Sequence, residues 1–90
     1  MKKGNAVLIT RIGDSWGPDH PIEIGREFMC RLRYDLELGD SCYAKGISPS
    51  HGIETTTILS IIVIGRVVIF KTYNSVYMVQ PLYRTYRFKG

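Results

Sequence analysis

Acidic residues are missing from the second part of this 90-residue chain, because residues 55–90 contain five Lys or Arg and no Asp or Glu. Residues 1–54 are nearly balanced, with seven Lys or Arg against eight Asp or Glu. The formal net charge of +4 therefore comes from the second part of the chain. This asymmetry predicts that an anionic partner prefers residues 55–90.

Long apolar runs are also missing. The most apolar stretch, Ile58 to Phe70, spans 13 residues and contains Ser60, Gly65 and Arg66, whereas a bilayer-spanning helix needs about 20 apolar residues. The basic start of the chain leads into only Ala6–Ile9 before polar residues return, which is too short for a secretory signal. We therefore expect a cytoplasmic protein with no membrane partner, and we expect Lys2 and Lys3 to form a solvated, frayed terminus.

Cysteine is scarce, since Cys30 and Cys42 are the only two and they form no CxxC pair. A structural disulfide is not expected in a reducing cytosol. We predict that both residues are small core side chains, with a redox pair as the alternative.

Catalytic and phosphate-binding signatures are weak. The scattered glycines match neither GxGxxG nor GxxxxGK[ST]. Residues 13–17 (GDSWG) have the GxSxG spacing, but they fall in a predicted loop with no predicted helix after it, whereas a nucleophile elbow is a strand-to-helix turn. Asp14, Asp19, His20 and His51 would form a metal or catalytic cluster only if their loops converged, and Asp is common in loops for turn chemistry alone. We predict no enzymatic activity, no metal and no cofactor.

Short runs of β-branched and aromatic residues dominate what is present, separated about every ten residues by Gly, Pro, Asn, Asp or Ser. With 44% hydrophobic and 22% charged residues, the composition excludes a disordered chain. We predict a single domain over residues 1–90, mainly β. Its fold is expected to be a small antiparallel, strongly bent sheet or barrel of five to seven strands, SH3-like or OB-like in size, with at most one short helix.

The first half holds less regular strands than the second. Asn5–Ile12 is the first predicted strand, and the Gly- and Asp-containing segment 13–20 after it is a predicted loop. Phe28–Arg33 alternates, with Phe28, Cys30 and Leu32 on one side and the two arginines on the other. The spacing of apolar residues in 26–38 is also compatible with a helix, so a helix is the alternative to a strand there. A tight turn is expected at Leu38–Ser41.

A three-strand meander is predicted after Glu54, formed by Thr55–Ile64, Val67–Thr72 and Val76–Gln80. Gly65 and Asn74 mark its two turns, because both residue types tolerate the left-handed backbone region.

Both faces of the first meander strand are apolar. Each face must be covered within the fold or by a second copy of the chain, so we predict a homo-oligomer, with a dimer as the first choice. One face consists of Ile58, Ile62 and Ile64, and the other of Leu59, Ile61 and Val63.

Three features are candidate binding surfaces. The tail 83–89 interleaves three cations with three aromatic rings, which suits phosphate contacts and base stacking but also a protected edge strand. The lone tryptophan lies in the first loop, where it is either an interface anchor or a plug of the barrel. Two arginines share one face of the second strand. The candidate residues are Trp16, Arg31, Arg33, Tyr83, Arg84, Tyr86, Arg87 and Lys89.

The segments Thr57–Ile61 and Val68–Tyr77 resemble the "T/S-x-x-I, hairpin, x-K-T-x-N-S-x-Y" ending of many small bacteriophage and prophage proteins. The resemblance implies a phage or mobile-element accessory protein in the cytoplasm of a bacterial host, a class that often acts by stoichiometric binding. We therefore expect a non-enzymatic binding module. It would engage or inhibit a host factor by binding an acidic surface of that factor, or it would sequester an anionic small ligand. The alternative is nucleic-acid binding through the basic and aromatic tail.

Overall fold

A computed structural model describes residues 1–14 and 23–82 and places six strands in them. Neighbouring strands are antiparallel, and pairing of the first with the last closes a six-stranded barrel. The predicted small antiparallel barrel is therefore confirmed. The strands are β1 (Ala6–Asp14), β2 (Glu27–Leu32), β3 (Ser41–Gly46), β4 (Ile53–Ile64), β5 (Val67–Thr72) and β6 (Ser75–Pro81).

Strand β2 settles the two alternatives for 26–38, because Glu27–Leu32 is extended and no residue of the described ranges is helical. Register explains the outcome: Phe28 lies opposite Ile9 and Cys30 opposite Val7, which puts the apolar side of the predicted alternation inside the barrel. A helix would have scattered these side chains around its axis. The final strand predicted in the tail lies outside the described residues.

The core is formed by the inward positions of all six strands. Its largest element is the stacked pair Phe70 and Tyr77, whose ring centroids are 5.2 Å apart. Each large apolar side chain contributes about 1.5–3 kcal/mol when fully buried. The buried apolar residues are Val7, Ile9, Phe28, Cys30, Leu32, Cys42, Ala44, Ile53, Ile58, Val68, Phe70, Tyr77 and Val79.

Strand β4 is bent twice. The register against β3 shifts between Ser41 and Tyr43, and the backbone N–H of Cys42 donates to Oγ1 of Thr55 there (3.0 Å). The register against β5 shifts again between Ile58 and Ser60. Such bulges add local bend and twist to a strand, so they let β4 leave β3 and continue along β5.

The two turns of the meander are stabilised in different ways. Gly65 has φ +61°, in the left-handed region as predicted. Asn74 does not, since no non-glycine residue in the described ranges has a positive φ. The second turn is instead closed by a side chain: Oγ1 of Thr72 accepts from the backbone N–H of Ser75 (3.2 Å).

The amino terminus is tied to the segment after β2, contrary to the expected frayed end. The backbone N–H of Lys3 donates to Oδ1 of Asp35 (2.7 Å), and the backbone N–H of Leu36 donates to the Met1 carbonyl (3.2 Å). Met1 and Leu36 also pack against the core. Residues 1–5 therefore extend the barrel at one end.

Arg11 occupies an inward position of β1 and is 3% exposed. Its Nε donates to Oγ of Ser75 (2.9 Å), and its guanidinium is paired with Asp14. A buried charge is tolerated only with such partners. This contact links β1 to β6 at the end of the barrel opposite the amino terminus.

The loop between β3 and β4 depends on two glycines that lie against each other. A Cβ on Gly46 would meet the carbonyl oxygen of Ser50 and approach N of Gly52 to 2.7 Å. A Cβ on Gly52 would meet the carbonyl oxygen of Ala44. All of these atoms belong to backbone, so a side chain cannot be accommodated by rotation.

We predict that Gly46→Ala lowers the free energy of unfolding by about 1–3 kcal/mol, because the added methyl forces backbone apart. Gly13→Ala is the matched control, since nothing lies within 4 Å of a Cβ at that position and the change should stay within about 0.5 kcal/mol. Urea denaturation of the two variants measures the difference. Equal stability of both variants would contradict the packing described for this loop.

Cys30 and Cys42 are buried free thiols, as the core prediction requires. Burial raises the pKa of Cys30 from 9.0 to about 11, and burial together with the nearby Cys30 thiol raises the pKa of Cys42 to about 12. The folded protein therefore keeps these protons at a pH where the unfolded chain loses them.

We accordingly predict that the free energy of unfolding falls as pH rises above about 9, by at most about 1.4 kcal/mol per pH unit for each thiol. The contribution is fully present below pH 9 and is lost as pH rises through the folded pKa values. Denaturation experiments at neutral and alkaline pH measure this dependence. The free energy of unfolding should decline less with rising pH in Cys42→Ala than in the wild type. An identical decline would refute the contribution of this thiol.

Candidate anion-binding site

The alternation that buries the apolar side of β2 points its basic residues outward. Arg31 is exposed between buried Cys30 and Leu32, and Arg33 follows directly after the strand. On β3, buried Cys42 and Ala44 alternate with outward side chains in the same way. Together the outward positions of the two strands form one surface, which we call the cationic face: Arg31, Arg33, Tyr43 and Lys45.

Arg31 and Lys45 are direct cross-strand partners on this face. Side chains at such positions start about 4.5–5.5 Å apart at Cβ, where two like charges are unfavourable. Arg31 uses one N–H, which donates to the Gly4 carbonyl (2.9 Å). Its remaining guanidinium donors are available to a ligand.

Arg33 lies over the ring of Tyr43, with its guanidinium carbon 5.5 Å from the ring centroid. The backbone N–H of Arg33 donates to the Tyr43 carbonyl (2.9 Å), which fixes the two residues side by side. Tyr34 extends the aromatic surface, with its ring centroid 6.1 Å from that of Tyr43. Cation–π contact orients the guanidinium without neutralising its charge.

No carboxylate in residues 1–14 and 23–82 lies within ion-pair distance of Arg31, Arg33 or Lys45. The ion pairs formed between described residues are Lys2–Asp35 and Arg11–Asp14. Within the described residues, the three positive charges of the cationic face therefore have no paired counter-ion, an arrangement that an anion stabilises.

Two adjoining depressions shape this surface. One, of about 440 Å³, is lined by Arg31, Arg33 and Lys45 together with Leu32, Gly46 and Ile47. The other, of about 540 Å³, shares Arg33 and Lys45 and extends over Tyr43 toward Glu54. Glu54 lies opposite Tyr43 on β4 and marks the acidic border of the site.

A larger cleft of about 670 Å³ opens at the amino-terminal end of the barrel and also contains Arg31. Val7, Val63 and Val68 give it an apolar side, and Leu82 lies at its rim. The N–H of Leu82 donates to the Ala6 carbonyl (2.9 Å), and Ala6 pairs with Arg31. Leu82, the last described residue, therefore lies beside this cleft.

Of the predicted site residues, the structure brings Arg31 and Arg33 together. It adds Lys45 and Tyr43, which the sequence analysis missed although Cys42–Lys45 shows the same alternation of small apolar and large polar residues. The predictions for Trp16, Tyr83, Arg84, Tyr86, Arg87 and Lys89 lie outside the described residues. Asp19 and His20 of the candidate metal cluster also lie outside the described residues. Asp14 of that cluster is paired with Arg11.

Within the part of the chain that the structure describes, no three His, Cys, Asp or Glu side chains come together as metal ligands. The same residues contain no helix of the length and apolarity needed to cross a membrane. Comparison of the chain with protein families, curated proteins and solved structures gives no match.

Proposed function

We propose that this protein is a non-enzymatic binding module that captures a phosphate-bearing anionic ligand on the cationic face. The observation that carries the proposal is the direct pairing of Arg31 with Lys45, with Arg33 adjacent and no carboxylate paired to any of the three among the described residues. Guanidinium groups bind phosphate oxygens in a bidentate manner, and the ammonium of Lys45 adds a third charge.

We propose a small ligand for this surface. The depressions of about 440 and 540 Å³ are wide open to solvent, so the ligand is held by the three cations rather than by enclosure. The ring of Tyr43, 38% exposed, offers a stacking surface beside the cations, so a ligand that combines phosphate with an aromatic base uses both.

The resemblance of Thr57–Ile61 and Val68–Tyr77 to phage and prophage proteins supports a setting in a bacterial host cell. A module of this kind acts there by stoichiometric sequestration, which removes an anionic ligand from the host protein that uses it. No side chain of the module needs to perform chemistry for this effect.

Nucleic-acid binding is the second candidate. It is favoured by the position of Leu82, which lines the same cleft as Arg31 and which the basic and aromatic residues 83–89 follow in the sequence. A single strand could then contact both the cationic face and the tail, through Arg84 and Arg87 in addition to Arg31 and Arg33.

We predict that Arg33→Gln weakens binding of pyrophosphate or a nucleoside triphosphate about tenfold, because a charge-assisted hydrogen bond contributes about 1.5–3 kcal/mol. Arg26→Gln is the matched control: Arg26 also lies over an aromatic ring, Phe28 at 5.3 Å, but away from the cationic face. It should change affinity less than twofold. Isothermal titration calorimetry at low salt measures both variants.

Equal effects of the two substitutions, or no binding of any phosphate probe by the wild type, would contradict the proposal. The nucleic-acid alternative has a separate outcome. If a single-stranded oligonucleotide binds and Arg84→Ala with Arg87→Ala reduces both its affinity and the salt dependence, while Arg33→Gln has no effect, the tail is the site and the cationic face is not.

A further inference from the structure

The second half of β4 has one backbone edge that no other described strand covers. Strand β3 pairs with β4 only as far as Thr57. The last contacts on that side are made by Ile58, whose N–H donates to the Asp40 carbonyl (2.8 Å) and whose carbonyl accepts from N–H of Gly39 (3.0 Å). Leu59 lies at the bulge, and from Ser60 to Ile64 the strand pairs with β5 and with no other described strand, so the segment is Leu59–Ile64. We call this segment the β4 edge.

The β4 edge is apolar and open to solvent. Leu59 is 54% exposed, Ile62 55%, Val63 66% and Ile64 61%. Half-buried Ile61 lies among them, and half-buried Ile69 lies opposite Ile62 on β5. Scattered exposed aliphatic residues are ordinary, but here both faces of one strand edge are apolar, with Ile62 and Ile64 on one face and Ile61 and Val63 on the other.

Features that usually protect an edge strand are missing from most of this segment. Edges are commonly guarded by Lys, by Pro, by inward charges or by short length, yet Thr55 to Ile64 contains no charged residue and no proline. The bulge near Leu59 lies where β4 leaves β3, and the pairs from Ser60 to Ile64 are regular. The exposed edge is therefore extended and suited to strand addition.

We propose that the β4 edge pairs with the β4 edge of a second copy, giving a two-fold dimer in which the two sheets become continuous. A two-fold axis between antiparallel strands of one sheet sets a residue opposite its own copy, so pairing about Ile62 places Ser60–Ile64 against the same neutral residues in reverse order. No like charges meet along the pair, and the same patch serves both copies, as a two-fold interface requires. Each copy also supplies the backbone donors and acceptors that the other lacks.

The surface area that the two copies would bury is that of a weak dimer. Four aliphatic side chains at least half exposed present on the order of 400 Å² in each copy, within the roughly 300–600 Å² of the largest apolar patch on a monomer, which is often functional. With the backbone edge and half-buried neighbours, the two copies together bury about 1,000 Å², near the lower limit of specific interfaces. We therefore expect a dissociation constant in the micromolar range.

The proposed pair is formed by β4, whereas the cationic face is formed by residues of β2, β3 and Arg33, and the two surfaces meet only where Val63 and Arg31 line the same cleft. Self-association can therefore be tested without any ligand, and failure of the dimer would leave the anion-binding proposal intact.

The test is sedimentation equilibrium of the full chain over a wide concentration range, with the variant Ile62→Lys. Ile62 is exposed, so the substitution removes no core contact, but it places two lysines near each other across the proposed pair. The dissociation constant should rise at least tenfold, about 1.4 kcal/mol. The control is Ile24→Lys, since Ile24 is 58% exposed and lies in a turn before β2. It should leave the dimer unchanged.

Amide hydrogen exchange of the wild type gives a second readout. In the dimer, amides of the β4 edge that point away from β5 should become protected as protein concentration rises. A monomer at all concentrations up to about 1 mM would overturn the proposal. So would a dimer that Ile62→Lys leaves intact, or protection of these amides in the monomer, which would mean that the chain covers its own edge.

Discussion

The length of β4 is the constraint on which the rest of the barrel depends. It has twelve residues, whereas β3 and β5 have six each, so neither neighbour can cover it alone. The barrel closes because β4 pairs first with β3 and then with β5, with Ile58 buried where the pairing changes. The bulges on either side of Ile58 supply the bend. The same arrangement leaves Leu59–Ile64 with one open edge, so closure of the barrel and exposure of the apolar edge have one cause.

A second consequence concerns β2 and β3. These short strands bury Cys30, Leu32, Cys42 and Ala44, and strict alternation then forces the intervening side chains to the outside. The core thus determines where the charges of the cationic face lie. The tight loop at Gly46 and Gly52 fixes the return from β3 to β4 and holds Lys45 opposite Arg31. The barrel in this way keeps three cations together without a paired carboxylate among residues 1–14 and 23–82.

The sequence predicted those parts of the fold that depend on local pattern. The meander, the Gly65 turn and the inward side of Phe28–Leu32 follow from β-branched runs, turn chemistry and period-two alternation. Contacts between distant residues were not predictable in this way. Arg11 is an unremarkable strand residue in the sequence, and its burial depends on Ser75, 64 positions away. Likewise, Lys45 joins the site only because the strand register pairs it with Arg31. The left-handed backbone predicted at Asn74 was wrong because the Thr72 side chain closes that turn.

The small barrel thus carries the cationic face, for which we propose an anion, and the β4 edge, for which we propose a second copy. Titration of ¹⁵N-labelled protein with a nucleoside triphosphate, followed by backbone amide chemical shifts, tests the anion-binding proposal directly. We expect the largest shifts at Arg31, Arg33, Tyr43 and Lys45, with those of β6 unchanged. Shifts confined to residues outside 31–33 and 43–45 would contradict the proposal.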